Sequence, residues 1–403
     1  MTKAQLVFDP FSLDFFNGAY ETYRRMRDEA PVYYDEKLDF YALTRHADVA
    51  PAFKDFGTYS SSGGVDLASV RNGLPTDTAL RMIIMMDPPD HRDMRSLLNK
   101  VFTPRAIQAQ RQMATEKIEK YLSALDPDGF DAVQDFSGPF PVEVITTMLG
   151  APEEDAQRIR HWIDEGLSRE VGQLEVSEAG MQANIETAVY YLDLVQKRRG
   201  EPQDDLLSQL CAAELVREDG QKTQLNDIEI TAFSTLLGGA GAETVTKLVG
   251  NAVYLFAKNP DQWQKLLDDR SKIPAAVEEL LRYEAPAQYN VRVTTKDVEL
   301  HGTTIPKGEP VFLIGGSANR DERAWTDADK FDIDRDRTEA QNLGLGYGIH
   351  SCLGAALARM ESVIALEKLL DFMPRYEVDF DNCERVQMQN VVGWKHVPVK
   401  VVQ

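Results

Sequence analysis

One cysteine lies in a segment whose residue types could bind a metal or supply a nucleophile. Cys352 follows glycines at positions 344, 346 and 348, and Gly354 comes two residues after it. Glycine allows backbone angles that are closed to other residues, so this loop could fold tightly around the sulfur. Gly354 also opens a predicted helix, whose free N–H groups and positive end favour a thiolate. The alternative is a buried structural thiol, the usual state of an isolated cysteine.

The longest predicted helix, over 226–258, carries a second set of candidate residues. Glu243 and Thr244 follow Gly238, Gly239 and Gly241. A glycine inside a helix costs about 1 kcal/mol relative to alanine, and a kink or the close approach of a flat ligand would explain several together. The Thr244 hydroxyl could hydrogen-bond a carbonyl one turn back, and Glu243 could relay protons. The alternative is a packing seam of small residues with Glu243 facing solvent.

Two basic residues could bind an anionic ligand. His91 and Arg95 lie one turn apart on a predicted helix. Charge-assisted hydrogen bonds from such groups would stabilise a partly buried carboxylate. Each of them singly is more commonly an exposed side chain.

Residues 345–354 resemble the haem-binding segment of the cytochrome P450 family, F-G-x-G-x-H-x-C-x-G, with Leu345 in place of the leading aromatic. The resemblance implies haem b (iron protoporphyrin IX) as cofactor and Cys352 as the proximal ligand of its iron, as in other Cys-ligated haems. It also implies that Leu345, Gly346, His350 and Gly354 line the haem site. Leu345 could pack beside the sulfur as the aromatic does, with less volume.

Two further segments match the same family. The order D-P-P-x-H-x-x-x-R places His91 and Arg95 where the family binds the haem propionates, and the resemblance extends this role to Arg292 and His350. The pattern A-G-x-[DE]-T over 240–244 implies that Ala240 contacts the haem. It also implies that Glu243 and Thr244 deliver protons to dioxygen, and it argues against a peroxide-driven relative.

The resemblance also implies a supporting network and a substrate pocket. Glu279 and Arg282, with Arg335, would form a buried ion-pair network that supports the cysteine loop. The positions of the family's substrate-contacting segments correspond to Ile84, Leu236, Gly239, Gln288 and Trp394. These segments are mostly apolar, although an ordinary core is the commoner reason for such residues. We expect a hydrophobic substrate of aromatic, terpenoid, steroid or fatty-acyl type.

The implied activity is monooxygenation of a hydrophobic small molecule by O2. The chain carries no flavin or iron–sulfur segment, so a ferredoxin or flavodoxin with its NAD(P)H-dependent reductase would supply electrons. One alternative keeps the fold and changes the reaction, to a peroxygenase, isomerase or oxidative-coupling enzyme. A second is a haem-free helical binding protein, or a thiol enzyme with Cys352 as nucleophile, although no Cys–His–Asx arrangement is visible.

Composition excludes several classes of partner. The formal charge of −21 argues against nucleic acid and anionic membranes. The first residues lack the apolar core of a signal peptide, and no apolar run approaches the roughly 20 residues of a membrane span. Cys211, Cys352 and Cys383 are too widely separated for a C-x-x-C zinc pair and odd in number. We therefore expect a cytoplasmic protein in a reducing compartment.

One segment departs from the acidic balance. Residues 92–120 contain seven basic and three acidic residues. This segment could be the docking surface for an acidic redox partner. A solvated helix face would have the same composition.

Periodicity predicts the elements that must position these residues. Helices are predicted over 20–29, 91–102, 107–125, 141–149, 153–167, 180–199, 204–218, 226–258, 261–268, 274–283 and 354–370. Strands are predicted over 32–34, 40–43, 291–295, 298–301, 310–314 and 397–401. The expected fold is mainly α with a smaller β portion, in a single cytochrome P450 domain over 1–403 with the long helix across the haem.

Overall fold

The structure, a computed structural model, describes residues 5–74, 81–216, 220 and 222–402. Its α-helices in these residues are α1 Leu13–Phe16, α2 Tyr20–Glu29, α3 His46–Lys54, α4 Leu67–Asn72, α5 Asp90–Val101, α6 Pro104–Ala109, α7 Arg111–Leu122, α8 Pro139–Leu149, α9 Ala156–Leu167, α10 Glu178–Gly200, α11 Leu206–Ala212, α12 Asp227–Lys258, α13 Pro260–Asp268, α14 Ile273–Tyr283, α15 Gly315–Ala318 and α16 Ala355–Phe372. The strands are β1 Val32–Asp35, β2 Phe40–Leu43, β3 Tyr59–Ser60, β4 Phe130–Asp131, β5 Glu214–Val216, β6 Lys222–Gln224, β7 Asn290–Thr294, β8 Val298–Leu300, β9 Thr303–Ile305, β10 Pro310–Leu313, β11 Tyr376–Val378, β12 Glu384–Arg385, β13 Trp394–His396 and β14 Pro398–Val401. The mainly helical prediction with a smaller β portion is confirmed.

The long helix α12 forms the centre of the structure. It starts at a capping box, in which the Asn226 side chain accepts from the Glu229 N–H and the Glu229 carboxylate accepts from the Asn226 N–H. Its 32 residues span about 48 Å at 1.5 Å per residue. Helices α8, α10 and α16 pack around it. The helix is continuous through residues 238–241, so its glycines do not interrupt it.

The glycines of α12 are explained instead by neighbouring helices. A Cβ added at Gly238 would lie 2.6 Å from the Tyr191 hydroxyl of α10, and one at Gly241 would lie 3.2 Å from Ile145 of α8. The packing-seam explanation therefore holds for these two positions. A Cβ at Gly239 would meet nothing nearer than Ile163, at 3.9 Å.

Two sheets connect distant parts of the chain. The larger has the strand order β1-β2-β10-β7-β3, in which only the β2–β10 pair is parallel among these strands. It brings residues 290–313 beside the first 60 residues. The smaller, in the order β11-β14-β4, joins the C-terminal residues to the segment before α8. Within the described residues, no helix is both long enough and apolar enough to cross a membrane.

Two predicted helices differ from the structure. The prediction over 204–218 fails because the helix ends at Ala212 and residues Glu214–Val216 pair with Lys222–Gln224 as a hairpin; residues 217 and 218 lie outside the described range. The prediction over 107–125 is interrupted at Gln110, whose ψ of −6° ends α6 before α7 begins. Thr103 starts α6 earlier than predicted, because its hydroxyl caps the helix ahead of a proline at N1.

Candidate functional site

The cysteine loop folds tightly around Cys352. Gly346 and Gly348 have φ values of +69° and +75°, in the left-handed region that favours glycine. The Cys352 N–H donates to the Leu345 carbonyl at 2.8 Å. The Gly354 N–H hydrogen-bonds the Cys352 sulfur, and Gly354 caps α16. The loop therefore presents the sulfur at a helix start.

The Cys352 side chain keeps exposed surface although protein atoms surround much of it. This burial raises the pKa of the thiol. The Gly354 N–H, Arg95 and Arg359 oppose this rise without cancelling it. The predicted preference for a thiolate at the helix start is thus outweighed by burial. A bound metal cation would supply the missing stabilisation, since a coordinating thiol is deprotonated.

One face of α12 remains accessible near its middle. Leu236, Ala240 and Thr244 follow each other at intervals of four residues, so they share a face. Ala240 is exposed and the other two are partly exposed, in a helix whose other side chains are mostly buried. The Thr244 hydroxyl donates to the Ala240 carbonyl at 2.8 Å, as predicted.

Glu243 does not face solvent. Its side chain is 4% exposed and forms an ion pair with Lys247, one turn further along α12. Asp164 of α9 lies close enough to act on the same carboxyl group. Burial, followed by the charge of Asp164, raises the pKa of Glu243 against the opposing effect of Lys247. A carboxyl group with a raised pKa is suited to general acid–base chemistry.

The four predicted anion-binding residues converge. The rings of His91 and His350 have centroids 4.3 Å apart, and Arg292 and Arg95 both act electrostatically on His350. Burial is the main cause that lowers the pKa of His91 to about 4 and that of His350 to about 3. Burial likewise lowers the pKa of Arg292 to about 10.

This cluster fits the propionates of a haem. The buried Nε2 atom of His91 has no hydrogen-bond partner, and Arg292 donates to its neighbour's carbonyl, that of Val291. In the described residues, no ion pair joins a carboxylate to His91, Arg95, Arg292 or His350. Buried cations are ordinarily paired. An anionic ligand beside the accessible Cys352 sulfur would complete the cluster.

The predicted supporting network is assembled. Arg282 donates to both carboxylate oxygens of Glu279 at 2.8 Å, and Arg335 Nε donates to Glu279 Oε1 at 3.2 Å. Arg282 also donates to the Asn319 carbonyl, and the Asn319 side chain accepts from the Leu343 N–H, just ahead of the cysteine loop. Asn319 therefore connects Arg282 to the cysteine loop, and no sequence pattern predicted this contact.

The predicted substrate residues are less uniform. Leu236 shares the accessible face of α12, and Gly239 lies near Ile163 of α9. The buried Gln288 side chain donates to the Ala285 carbonyl, and Trp394 stacks on Tyr254 with ring centroids 4.1 Å apart. These contacts give Gln288 and Trp394 packing roles, and their place in a substrate pocket stays a prediction.

Ile84 lies in a 3₁₀ turn, Ile83–Met85, and is 37% exposed. A cavity of about 380 Å³ opens beside this turn, and its lining combines Met85, Met86 and Met94 with the charged side chains of Arg81, Asp87, Asp90 and Glu229. Ile84 is not among its lining residues, so the place of Ile84 in an apolar substrate pocket stays a prediction.

Three residues of the site were not predicted. Lys247 was visible as the i+4 partner of Glu243, a spacing that places both on one helix face. The Ser61 hydroxyl lies 3.1 Å from His350 Nε2. Ser61 and Asp164 reach the site only through tertiary packing.

Known proteins are similar to this chain in sequence and in fold. Residues 181–401 match the family model described as Cytochrome P450. The putative cytochrome P450 123 of Mycobacterium tuberculosis is 43% identical over 400 residues, 98% of this chain and 97% of that protein. A mutant of P450 EryK in complex with erythromycin B has a TM-score of 0.86 at 34% identity, over 96% of each chain.

CYP109E1 from Bacillus megaterium, in complex with testosterone, has a TM-score of 0.85 at 32% identity, over 95% of this chain and 97% of that one. The sequence similarity extends over nearly the whole chain, and the fold is closely similar. Both findings agree with the match to the family model. The chain belongs to the cytochrome P450 family, whose members are in general haem-binding monooxygenases.

Proposed function

We propose that this chain is a haem b enzyme that inserts one oxygen atom of O2 into a hydrophobic small molecule. The observation that carries the proposal is the convergence of His91, Arg95, Arg292 and His350 near Cys352. Asp87 acts on His91 and Arg292, but among the described residues no carboxylate forms an ion pair with any of the four. The b type is supported by the absence from the sequence of a C-x-x-C-H segment for covalent haem attachment.

Each group has a role in this proposal. Cys352 would hold the iron, the basic cluster would hold the propionates, and a bound haem would supply the activation of dioxygen that protein side chains cannot provide. Ala240, exposed on α12, would contact the haem. Thr244 on the accessible face of α12 and Glu243, which precedes it and is buried, hold and pass protons.

Electrons come from a separate ferredoxin or flavodoxin with its NAD(P)H-dependent reductase. The docking surface is the exposed part of residues 92–120. Lys117 and Lys120 contribute little to it, because both pair with Glu153, and Lys120 donates to Glu143 at 2.8 Å. Lys100 remains exposed for an acidic partner.

The substrate is apolar and bulky. Related structures are complexes with testosterone and with erythromycin B, which supports a steroid or another large hydrophobic molecule. The three free cysteines support a cytoplasmic location. Residues 1–403 form one domain in this proposal. One apolar cluster includes residues from Ile83 to Val399, and two others pack residues of the range 8–67 against residues of the range 289–392.

The visible spectrum of the dithionite-reduced protein with carbon monoxide tests the haem assignment. We expect a strongly red-shifted Soret band, which Cys352→Ala abolishes and Cys383→Ala retains, because Cys383 lies outside the loop. A colourless protein, or a band of the histidine-ligated type that persists in Cys352→Ala, would contradict the proposal.

The source of the inserted oxygen tests the reaction. With ferredoxin, its reductase, NADPH and testosterone or another steroid as probe, isotopically labelled O2 should label the product. Label acquired from hydrogen peroxide without a reductase would indicate a peroxygenase. A product without new oxygen would indicate an isomerase or an oxidative-coupling enzyme.

A further inference from the structure

Helix α10 presents an apolar stripe on its outer face. Met181, Ile185 and Val189 follow each other at intervals of four residues and are 53%, 57% and 53% exposed. Ala188 and Leu192 share this face and are partly exposed, so the stripe extends over about 17 Å of the helix. Single apolar residues on a surface are ordinary, whereas a contiguous apolar patch indicates an interaction site.

The stripe is the second apolar face of this helix. The opposite face of α10 is buried where the helix packs on α9, α11 and α12, and it includes Ala183, Tyr191 and Leu194. A surface helix ordinarily carries polar side chains on the face that points away from the core. The fold therefore covers one apolar face of α10 and leaves the other for a partner outside the chain.

The charged residues around the stripe narrow the class of this partner. Glu178 begins the helix and Asp193 follows Leu192, and both acids are exposed. Lys197, in the last turn, is the first exposed basic residue of α10. A helix that lies on a membrane surface carries Lys and Arg along its polar face. These acids, with the net charge of −21, would also repel anionic lipid and an acidic partner protein.

A second copy of the same helix fits these surroundings when the two helices run antiparallel. A two-fold axis halfway between Ile185 and Val189 would place Ile185 of each copy opposite Val189 of the other. The small side chain of Ala188 lies beside this axis, so the helices could approach closely. The same axis brings Glu178 of each copy to the end of the other helix, near Lys197. The charges of the two copies are thus complementary at both ends of the stripe.

We propose that α10 is the interface of a homodimer, in which the apolar stripes of two antiparallel α10 helices pack against each other. The contact surface of a single helix is smaller than the roughly 800 Å² per partner that a standard interface buries. The dimer is therefore a reversible one that dissociates in the micromolar range. This inference is independent of the reaction that the chain catalyses.

Sedimentation velocity of the haem-loaded protein over a concentration series tests the dimer. The series is run at physiological ionic strength, where charges more than about 8 Å apart are largely screened. We expect the weight-average mass to rise from that of one chain to that of two. Ile185→Glu should raise the dissociation constant about tenfold or more, because it buries a charge against the apolar Val189 of the second copy.

An exchange of charge across the interface tests its orientation. Val189→Lys should weaken the dimer by itself, as Ile185→Glu does. A mixture of the two variants should form a heterodimer, because the new carboxylate at position 185 then faces the new ammonium group at position 189. Parallel helices would place position 185 against itself, and the mixture would stay monomeric.

Leu13→Glu is the matched control. Leu13 is as exposed as Met181 but lies on α1, so this variant should dimerise as the wild type does. The circular dichroism of all three variants should equal that of the wild type, because each replaced side chain is more than half exposed.

Three results would overturn the proposal: a monomer at every concentration, a dimer that Ile185→Glu leaves unchanged, and a mixture of the two stripe variants that stays monomeric. Vesicles of phosphatidylcholine and phosphatidylglycerol distinguish the membrane alternative. A monomer that floats with these vesicles, and that Ile185→Glu releases from them, would assign the stripe to lipid contact instead of a second copy.

Discussion

His91 and His350 stand ring to ring, with centroids 4.3 Å apart, although one lies on α5 and the other in the turn before Cys352. Burial lowers the pKa of both far below 6.5, to about 4 and about 3. Near pH 7 the pair therefore offers neutral hydrogen-bond donors, flanked by the charges of Arg95 and Arg292. An acidic ligand bound here would raise the pKa of both histidines.

Haem binding should weaken the acid sensitivity of the fold. Without haem, the unfolded chain binds more protons at these histidines between pH 6.5 and about 4, so the free energy of unfolding falls as pH is lowered through that window. Bound propionates would raise both folded pKa values and reduce the fall. Urea unfolding of the haem-free and haem-loaded proteins at several pH values measures how the free energy of unfolding of each depends on pH.

His350→Phe should reduce the difference between the two forms. His301→Gln should leave it unchanged, because His301 pairs with Asp48 on the surface. Equal pH dependence of the haem-free and haem-loaded proteins would contradict propionate binding by this pair.

Glu279→Gln should destabilise the fold by about 3–5 kcal/mol, because it leaves the buried Arg282 and Arg335 without an anion. The adjacent Glu278→Gln is the matched control. Glu278 pairs with Arg359 at a more exposed site, where an ion pair contributes about 0–1 kcal/mol. Denaturant unfolding measures both variants. Equal losses of stability in the two variants would show that the buried Glu279 network contributes no more than the exposed Glu278–Arg359 pair.

Gly238→Ala and Gly239→Ala should differ in sign. The Gly238 variant places a methyl group 2.6 Å from the Tyr191 hydroxyl and should cost about 1–3 kcal/mol. The Gly239 variant has room and should stabilise α12 by about 0.4–1 kcal/mol. Thermal unfolding measures both. A loss of stability in the Gly239 variant would show that the added methyl group is not accommodated beside Ile163.

Gly348→Ala should harm the cysteine loop more than Gly346→Ala. Both have positive φ, which costs other residues about 1–2 kcal/mol. At Gly348 the new methyl group would also lie 2.5 Å from the Phe53 carbonyl, whereas at Gly346 the nearest atom is 3.5 Å away. Haem retention on dilution is the measurement, and equal retention would exclude a role for the Phe53 contact.

Local patterns in the sequence were enough for the main elements. The bounds predicted for α12 differ from those observed by one residue, because its capping box and the following Asn259–Pro260 are local signals. The failed helix over 204–218 shows the limit of such signals. Strand pairing between 214–216 and 222–224 is a contact between separate segments, and helical periodicity in one segment carries no information about it.

By itself, the sequence determined the helical class, the cysteine loop and the Glu279–Arg282 pair, since these depend on short spacings and on backbone angles that glycine permits. The residues of the basic cluster were implied by the family resemblance, because Arg292 and His350 lie far from His91 along the chain. Only the tertiary structure decided that burial outweighs the helix start in raising the pKa of Cys352, and that Asp164 meets Glu243. The physical reason is that burial and charge coupling depend on which segments pack together, and those distances are set by the whole fold.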